Sequence, residues 1–326
     1  MNEAILALTP IEPLVIDGCR AIAPCLAIGR DEALGGDPSR LDAVRALAVW
    51  STIVDEVLLD RLPALELVAN FGVGYDKVDV GTATARGVAV THTPGVLDDE
   101  VADLAVGLLL MTIRRLGEAE RYVRGGHWAE GPFPLTATLR GRTVGILGMG
   151  RIGSAIARRL EGFNVDIAYC SRNPREALAY AYHPDAASLA EAVDTLICML
   201  PGGPETRHAI DAGVLAQLGP DGVVINVGRG SSLDEAALAE ALRSGTIAAA
   251  GLDVFEQEPF ADHPLAAFDN VVLLPHVGSA TVHTRAAMGQ MVVDNIASWF
   301  ANGFALTATP ETVAAGLDLR DGRRAR

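Results

Sequence analysis

Along the second half of the chain, short apolar runs alternate with longer segments whose apolar residues recur at helical spacing. The runs at 143–147, 165–170, 195–200, 222–227, 248–254 and 271–275 read as strands covered on both faces. Segments such as Ser188 to Ala192 and Asp234 to Leu242 read as the helices between them. Regular alternation of this kind predicts a doubly wound parallel sheet. Residues 1 to about 97 carry their own apolar runs, Ala4–Leu8, Leu47–Trp50, Leu65–Phe71 and Val88–Thr91, and predict a smaller α/β unit. Asp98 and Asp99 offer N-caps to a helix predicted over about 99–124, with an apolar stripe at Val101, Leu104, Ala105, Leu108, Leu109 and Ile113. Residues Gly125 to Arg140 form a connector long enough to suggest that it reaches a partner. A last helix is expected over roughly Thr281–Ala301, and Leu306 to Pro310 then return to the first unit.

One junction stands out. Thr143 to Leu160 reads strand, glycine turn, helix, and the turn is Gly148-x-Gly150-x-x-Gly153. The first glycine permits the tight turn, the second lets a pyrophosphate approach the main chain, and the third lets helix and strand pack closely. Glycine turns also join strands to helices for steric reasons alone, so the motif needs its context. That context is right on both sides. The expected fold class is therefore α/β, with two Rossmann-like doubly wound parallel-sheet domains. A dinucleotide-binding domain, 98–281, is inserted into a discontinuous substrate-binding domain made of 1–97 and 282–326.

The length of 326 residues suits two domains, and a net charge of −15 argues against nucleic acid as a partner. The longest strongly apolar stretch, Leu104 to Ile113, is too short to span a bilayer, and no basic n-region followed by an apolar core begins the chain. The expectation is a cytoplasmic protein with no membrane partner. Cys19, Cys25, Cys170 and Cys198 lack metal-ligand spacing, so buried thiols are expected rather than disulfides, and no metal. The basic tail Arg320 to Arg326 reads as a solvated terminus or an interaction patch.

Which nicotinamide cofactor fits depends on the residue ending the second strand of the glycine-turn domain, where NAD sites place an acid. Here Val165 to Cys170 runs into Ser171-Arg172-Asn173-Pro-Arg175, with no carboxylate. Ser171 and Arg172, helped by Arg175, suit a 2′-phosphate, so NADP(H) is expected over NAD(H). Dual specificity is the alternative.

Polar residues end three later strands: Asn226-Val-Gly-Arg229, Gly251-Leu-Asp253 leading to Glu258-Pro, and Leu274-Pro-His276-Val-Gly-Ser. Taken singly they are a surface cation, a loop acid and a capping histidine. Together they match the reduction of a 2-keto acid, which needs a cation for carbonyl and carboxylate, a proton donor and a hydride. Arg229 is the cation, His276 the donor and Glu258 the group that orients it and favours its charged form. Asp253 would accept a bond from the nicotinamide carboxamide. In the first unit, Gly72-Val73-Gly74 after a strand either presents amides to an anion or is a plain tight turn.

With these motifs quoted, the chain resembles the D-isomer-specific 2-hydroxyacid dehydrogenases, most closely the NADP-dependent glyoxylate/hydroxypyruvate and hydroxyphenylpyruvate reductase branch. Phe133-Pro-Leu-Thr136, Ser171-Arg172, Thr206-Arg-His208 and Pro275 to Thr281 carry that finer likeness. The resemblance implies that Arg229, Glu258 and His276 are catalytic and that the amides of Val73 and Gly74 bind the substrate carboxylate. It further implies cofactor contacts from Gly148, Gly150, Arg151, Ile152, Gly153, Ser171, Arg172, Asn173, Leu200, Pro201, Val227, Asp253 and Gly278. Trp50, Ser51 and Trp299 would shape the pocket, and a cleft between the domains would close on binding. A homodimer through the long helix and connector is implied, with a small 2-keto acid as the substrate. D-lactate-type or arylpyruvate reduction is the nearer alternative, and a nucleotide-sensing corepressor-like scaffold the more distant one.

Overall fold

The structure is a computed structural model and describes residues 4–319. The chain divides into two compact units, the residues up to Leu97 together with those from Thr281 on, and Asp98–Ala280. The tail Arg320 to Arg326 lies outside the described residues.

The first unit is built on a parallel sheet of β1 (Ile5–Thr9), β2 (Cys25–Gly29), β3 (Ala46–Val49), β4 (Leu67–Asn70) and β5 (Ala89–Thr91), in the order β2-β1-β3-β4-β5. β3, β4 and β5 are buried at every position, as their apolar runs predict. β2 was not among the predicted runs. As an edge strand it buries only Ile28, so its sequence lacks the signature of coverage on both faces. The predicted return of the tail is present. Ala308 pairs antiparallel with Thr91, and the Thr309 amide donates to Val90 O at 2.9 Å. The helix Val282–Asn302 crosses the helix Pro13–Ile22, with Gly18 against Val293 and Gly289 against Leu14 and Val15. Glycine lets the two helix backbones approach closely.

The second unit holds β6 (Thr143–Leu147), β7 (Asp166–Cys170), β8 (Ala181–His183), β9 (Thr195–Cys198), β10 (Val223–Asn226), β11 (Ala249–Leu252) and β12 (Val271–Leu273), all parallel. Their order is β12-β11-β10-β9-β6-β7-β8. The reversal of strand order between β9 and β6 is the switch point at which ligands of open α/β sheets bind. β8, a short and half-exposed edge strand, had no counterpart among the predicted runs. The helix expected over about 99–124 is two helices, Asp98–Arg114 and Leu116–Arg124. Arg115 breaks it with φ +50, and its guanidinium is held by both carboxylate oxygens of Glu118 at 2.7 Å. The longer helix packs on β10 and β11, where Gly251 leaves space for Thr112 and Leu108. No helix among the described residues is long and apolar enough to cross a membrane. Among the described residues no disulfide forms, and Cys19, Cys170 and Cys198 are buried.

A Cβ at Gly18 would meet the Val293 Cγ2 methyl at 2.4 Å, and valine cannot rotate far to make room. Gly18→Ala should therefore lower stability by about 1–3 kcal/mol in urea unfolding, and adding Val293→Ala should recover part of the loss.

Candidate active site

The strand order of the second unit sets out the candidate residues along one edge of the sheet. At the C-terminal ends of successive strands stand His276 after β12, Asp253 after β11, Arg229 after β10, Leu200 and Pro201 after β9, Gly148 after β6 and Ser171 after β7.

The glycine turn is built as its spacing demands. Gly148 has φ +107, and a Cβ there would lie 2.7 Å from Met199 O. A Cβ on Gly153 would lie 2.2 Å from Gly148 O, so no side chain fits under the turn. Gly150, by contrast, faces open space. It begins the helix Arg151–Leu160 with no side-chain cap, whereas Asp55, Asp79, Asp185, Asp211 and Asp234 cap theirs. The first-turn amides of that helix are therefore left to an external anion. Ile152 is buried beneath the turn, and Arg151 Nε lies 3.3 Å from an Asp98 carboxylate oxygen. The adjoining strand ends are equally close, since a Cβ on Gly228, next to Val227, would lie 2.6 Å from Leu200 O. This cradle fits a dinucleotide pyrophosphate.

At its far end, Ser171 Oγ donates to Asn173 O at 2.7 Å. Arg172 is exposed and has no ion-pair partner among the described residues. Arg175 also has a structural contact. Its Nη1 donates to Met149 O at 2.7 Å and to Ser154 Oγ at 3.0 Å, so it props the glycine turn.

On the other side of the switch point three loops converge. Asn226 Nδ2 donates to Arg229 O at 3.0 Å, while its Oδ1 accepts from the Gly228 amide at 3.1 Å. Arg229 Nη1 donates to Gly228 O at 2.8 Å. A Cβ on Gly230 would lie 1.8 Å from the Phe255 carbonyl carbon, so the Arg229 turn presses directly on the loop that carries Glu258. Glu258 Oε1 accepts from the Phe255 amide at 2.7 Å, and its Oε2 lies 2.7 Å from His276 Nδ1. The imidazole Nε2 is thereby turned away from the carboxylate.

His276 adopts φ +53, a left-handed conformation that side chains with a Cβ rarely take. Asp253 holds it there. The carboxylate is 1% exposed and accepts from the Val277 and Gly278 amides, each at 2.8 Å. Burial pushes the Asp253 carboxyl above its ordinary range, against the pull of those two amides. Two further residues escaped sequence reasoning. Glu235 accepts from the Glu256 amide at 2.8 Å and lies 3.1 Å from His263 Nε2, tying the Glu258 loop to the helix Glu235–Ser244. His208, noted above only as part of a motif, bonds the Glu256 carboxylate.

Within the first unit, Asn70 Nδ2 donates to Gly72 O at 3.1 Å and to Gly74 O at 3.0 Å. His92 Nδ1 lies 2.9 Å from Val73 O. With the carbonyls so engaged, the Val73 and Gly74 amides donate to nothing among the described residues. Ser51 follows β3 with φ +51, and its carbonyl accepts from Lys77 Nζ at 3.1 Å. Trp299 does not shape this turn. It is 3% exposed and donates to Glu66 Oε2 at 2.9 Å, at the opposite, N-terminal end of β4.

Known proteins with this arrangement are numerous. Residues 106–278 match the family model described as "D-isomer specific 2-hydroxyacid dehydrogenase, NAD binding domain". The chain is 49% identical over 253 residues to glyoxylate/hydroxypyruvate reductase A of Arabidopsis thaliana, covering 78% of this chain and 81% of the relative. It is 48% identical over 267 residues to hydroxyphenylpyruvate reductase of Plectranthus scutellarioides, covering 82% and 85%. Among solved structures, the NADPH-dependent glyoxylate/hydroxypyruvate reductase of Sinorhizobium meliloti, in complex with NADP and malonate, superposes with a TM-score of 0.93. It is 52% identical, with all of both chains covered. The glycine cradle, the strand-end polar residues and these likenesses agree, and the chain belongs to the D-isomer-specific 2-hydroxyacid dehydrogenases.

Proposed function

We propose that the protein reduces small 2-keto acids, glyoxylate and hydroxypyruvate, to D-2-hydroxy acids with NADPH. The observation that carries the reading is the His276–Glu258 contact on a turn held by Asp253, beside the loop that bears Arg229. The names of the relatives agree with it, as does the NADP bound by the Sinorhizobium meliloti enzyme.

NADPH, when bound, supplies the hydride that adds to the keto carbon. The chain's own residues do the rest. Arg229 polarises the keto oxygen and holds the carboxylate with its fork of donors. In the first unit, the Val73 and Gly74 amides, left open by the Asn70 and His92 contacts, offer donors to a carboxylate. His276 gives its Nε2 proton to the developing alkoxide, and Glu258 on Nδ1 stabilises the imidazolium before transfer and fixes the ring plane. The proton is restored from solvent, which the half-exposed ring meets directly.

Gly148, Gly150 and Gly153 cradle the pyrophosphate, with Arg151, Ile152, Leu200, Pro201, Val227 and Gly278 along the cofactor. Ser171, Arg172 and Asn173 receive the 2′-phosphate. An arylpyruvate substrate is the second reading, favoured by the 48% identity to hydroxyphenylpyruvate reductase. A homodimer is part of the proposal. Leu116, Val123, Trp128 and Leu135 lie exposed on the second helix and the connector, Leu135 at 99%, where an apolar partner surface would cover them.

The reading is tested by following reduced-cofactor loss with NADPH and NADH against glyoxylate, hydroxypyruvate, pyruvate and hydroxyphenylpyruvate. Faster turnover of glyoxylate and hydroxypyruvate with NADPH is expected, and Arg229→Ala should abolish it. Arg172→Ala should raise the KM for NADPH by roughly tenfold or more while leaving that for NADH within about threefold. Asp253→Asn separates stability from function. Because burial raises its folded pKa, the carboxyl's contribution to stability is fully present below about pH 4 and is lost as pH rises through the raised value. A neutral amide avoids that loss but cannot accept both bonds. The urea midpoint at pH 7 should change little while kcat falls by about tenfold or more.

A further inference from the structure

The first unit contains a cation whose placement the catalytic reading above leaves without a role. Arg285 stands in the first turn of the helix Val282–Asn302 and reaches the C-terminal ends of β3 and β4. Its guanidinium carbon lies 4.7 Å from the Trp50 ring centroid and 5.6 Å from that of Phe71. The two rings are themselves in contact, 5.6 Å apart. Trp50 is followed by the left-handed Ser51, and Phe71 by Gly72 and the amides of Val73 and Gly74.

Stacking on aromatic rings engages the flat face of a guanidinium and leaves its in-plane N–H donors directed outward. Among the described residues, none accepts a hydrogen bond from Arg285 and no carboxylate lies within ion-pair distance. Glu12 favours the charge only from farther away, and burial pulls the guanidinium below its ordinary pKa. Surface arginines in this chain are treated differently: Arg86, Arg115 and Arg159 each pair with a carboxylate. A half-buried cation with no ion-pair partner among the described residues, on an aromatic shelf beside open amides, has the composition of a ligand site.

We propose that Arg285 is a specificity-determining residue that binds an oxygen on carbon 3 or beyond in the substrate, so that the enzyme prefers 2-keto acids bearing a distal hydroxyl or carboxylate. The proposal rests on the 2-keto acid reductase reading. Glyoxylate has no such oxygen, pyruvate has a methyl in its place, hydroxypyruvate a hydroxyl and oxaloacetate a second carboxylate. The site therefore ranks the last two above pyruvate.

The experiment compares kcat/KM for these four substrates in wild type, Arg285→Gln and Arg285→Lys. Arg285→Gln should cut hydroxypyruvate and oxaloacetate by at least about tenfold more than glyoxylate, bringing hydroxypyruvate down to the level of pyruvate, and Arg285→Lys should restore part of the loss. Hydroxypyruvate and oxaloacetate separate a hydroxyl ligand from a carboxylate ligand by which of them falls further. An equal loss on all four substrates, or none, overturns the proposal, the former assigning Arg285 only to packing against Trp50 and Phe71. A second measurement needs no turnover: calorimetric binding of malonate should weaken in Arg285→Gln by about tenfold relative to acetate. If wild type reduces none of the four substrates, the reductase reading fails, whereas malonate and acetate binding still decides whether Arg285 holds a second anionic group. Equal malonate binding in wild type and variant overturns it.

Discussion

A buried carboxylate accepting two adjacent backbone amides is the contact on which the catalytic side of the second unit depends. Asp253 closes the turn after β12, and that closure keeps His276 at a φ that its Cβ disfavours. A left-handed non-glycine residue costs on the order of 1–3 kcal/mol and persists only where its surroundings over-determine it. Here the two amide bonds, each charge-assisted, supply that constraint, and the Glu258 contact at Nδ1 adds to it. The imidazole is thus held in one direction by the protein's own contacts, the geometric precondition of the proton transfer proposed for it.

The same economy recurs elsewhere. Gly230 has no room for a side chain because the Arg229 turn lies against Phe255, and Glu235 pins the next residue's amide. Arg229 and Glu258 lie far apart in sequence, yet the approach of Gly230 to Phe255 brings their loops together. Polar contacts to the main chain and side-chain pairs such as Glu235–His263 and Glu258–His276 together hold the loops. That rigidity suits a site in which small displacements of a donor are costly.

Much of the fold was readable because parallel strands buried on both faces leave an unmistakable mark. β6, β9, β10 and β11 are mostly apolar and almost wholly buried, and each is visible as a run. The strands missed, β2 and β8, are edges with half-exposed residues, where burial imposes no such pattern. The break at Arg115 depends on one residue's dihedral within an otherwise periodic stretch, and periodicity is blind to that.

For the site, the sequence alone determined the local chemistry: the three glycines, the missing acid after β7, and the arginine, carboxylates and histidine that end later strands. Those depend on neighbours within a few positions, and short-range sterics write them into the chain directly. Only the tertiary structure decided the partners. It turned Arg175 under the glycine turn, buried Trp299 at the wrong end of β4, gave Asp253 a backbone to hold and stacked Arg285 on Trp50 with no carboxylate among the described residues at ion-pair distance. Each of these joins residues far apart in sequence, and which distant side chain meets which is set by how whole layers pack, a quantity that no local window of residues contains.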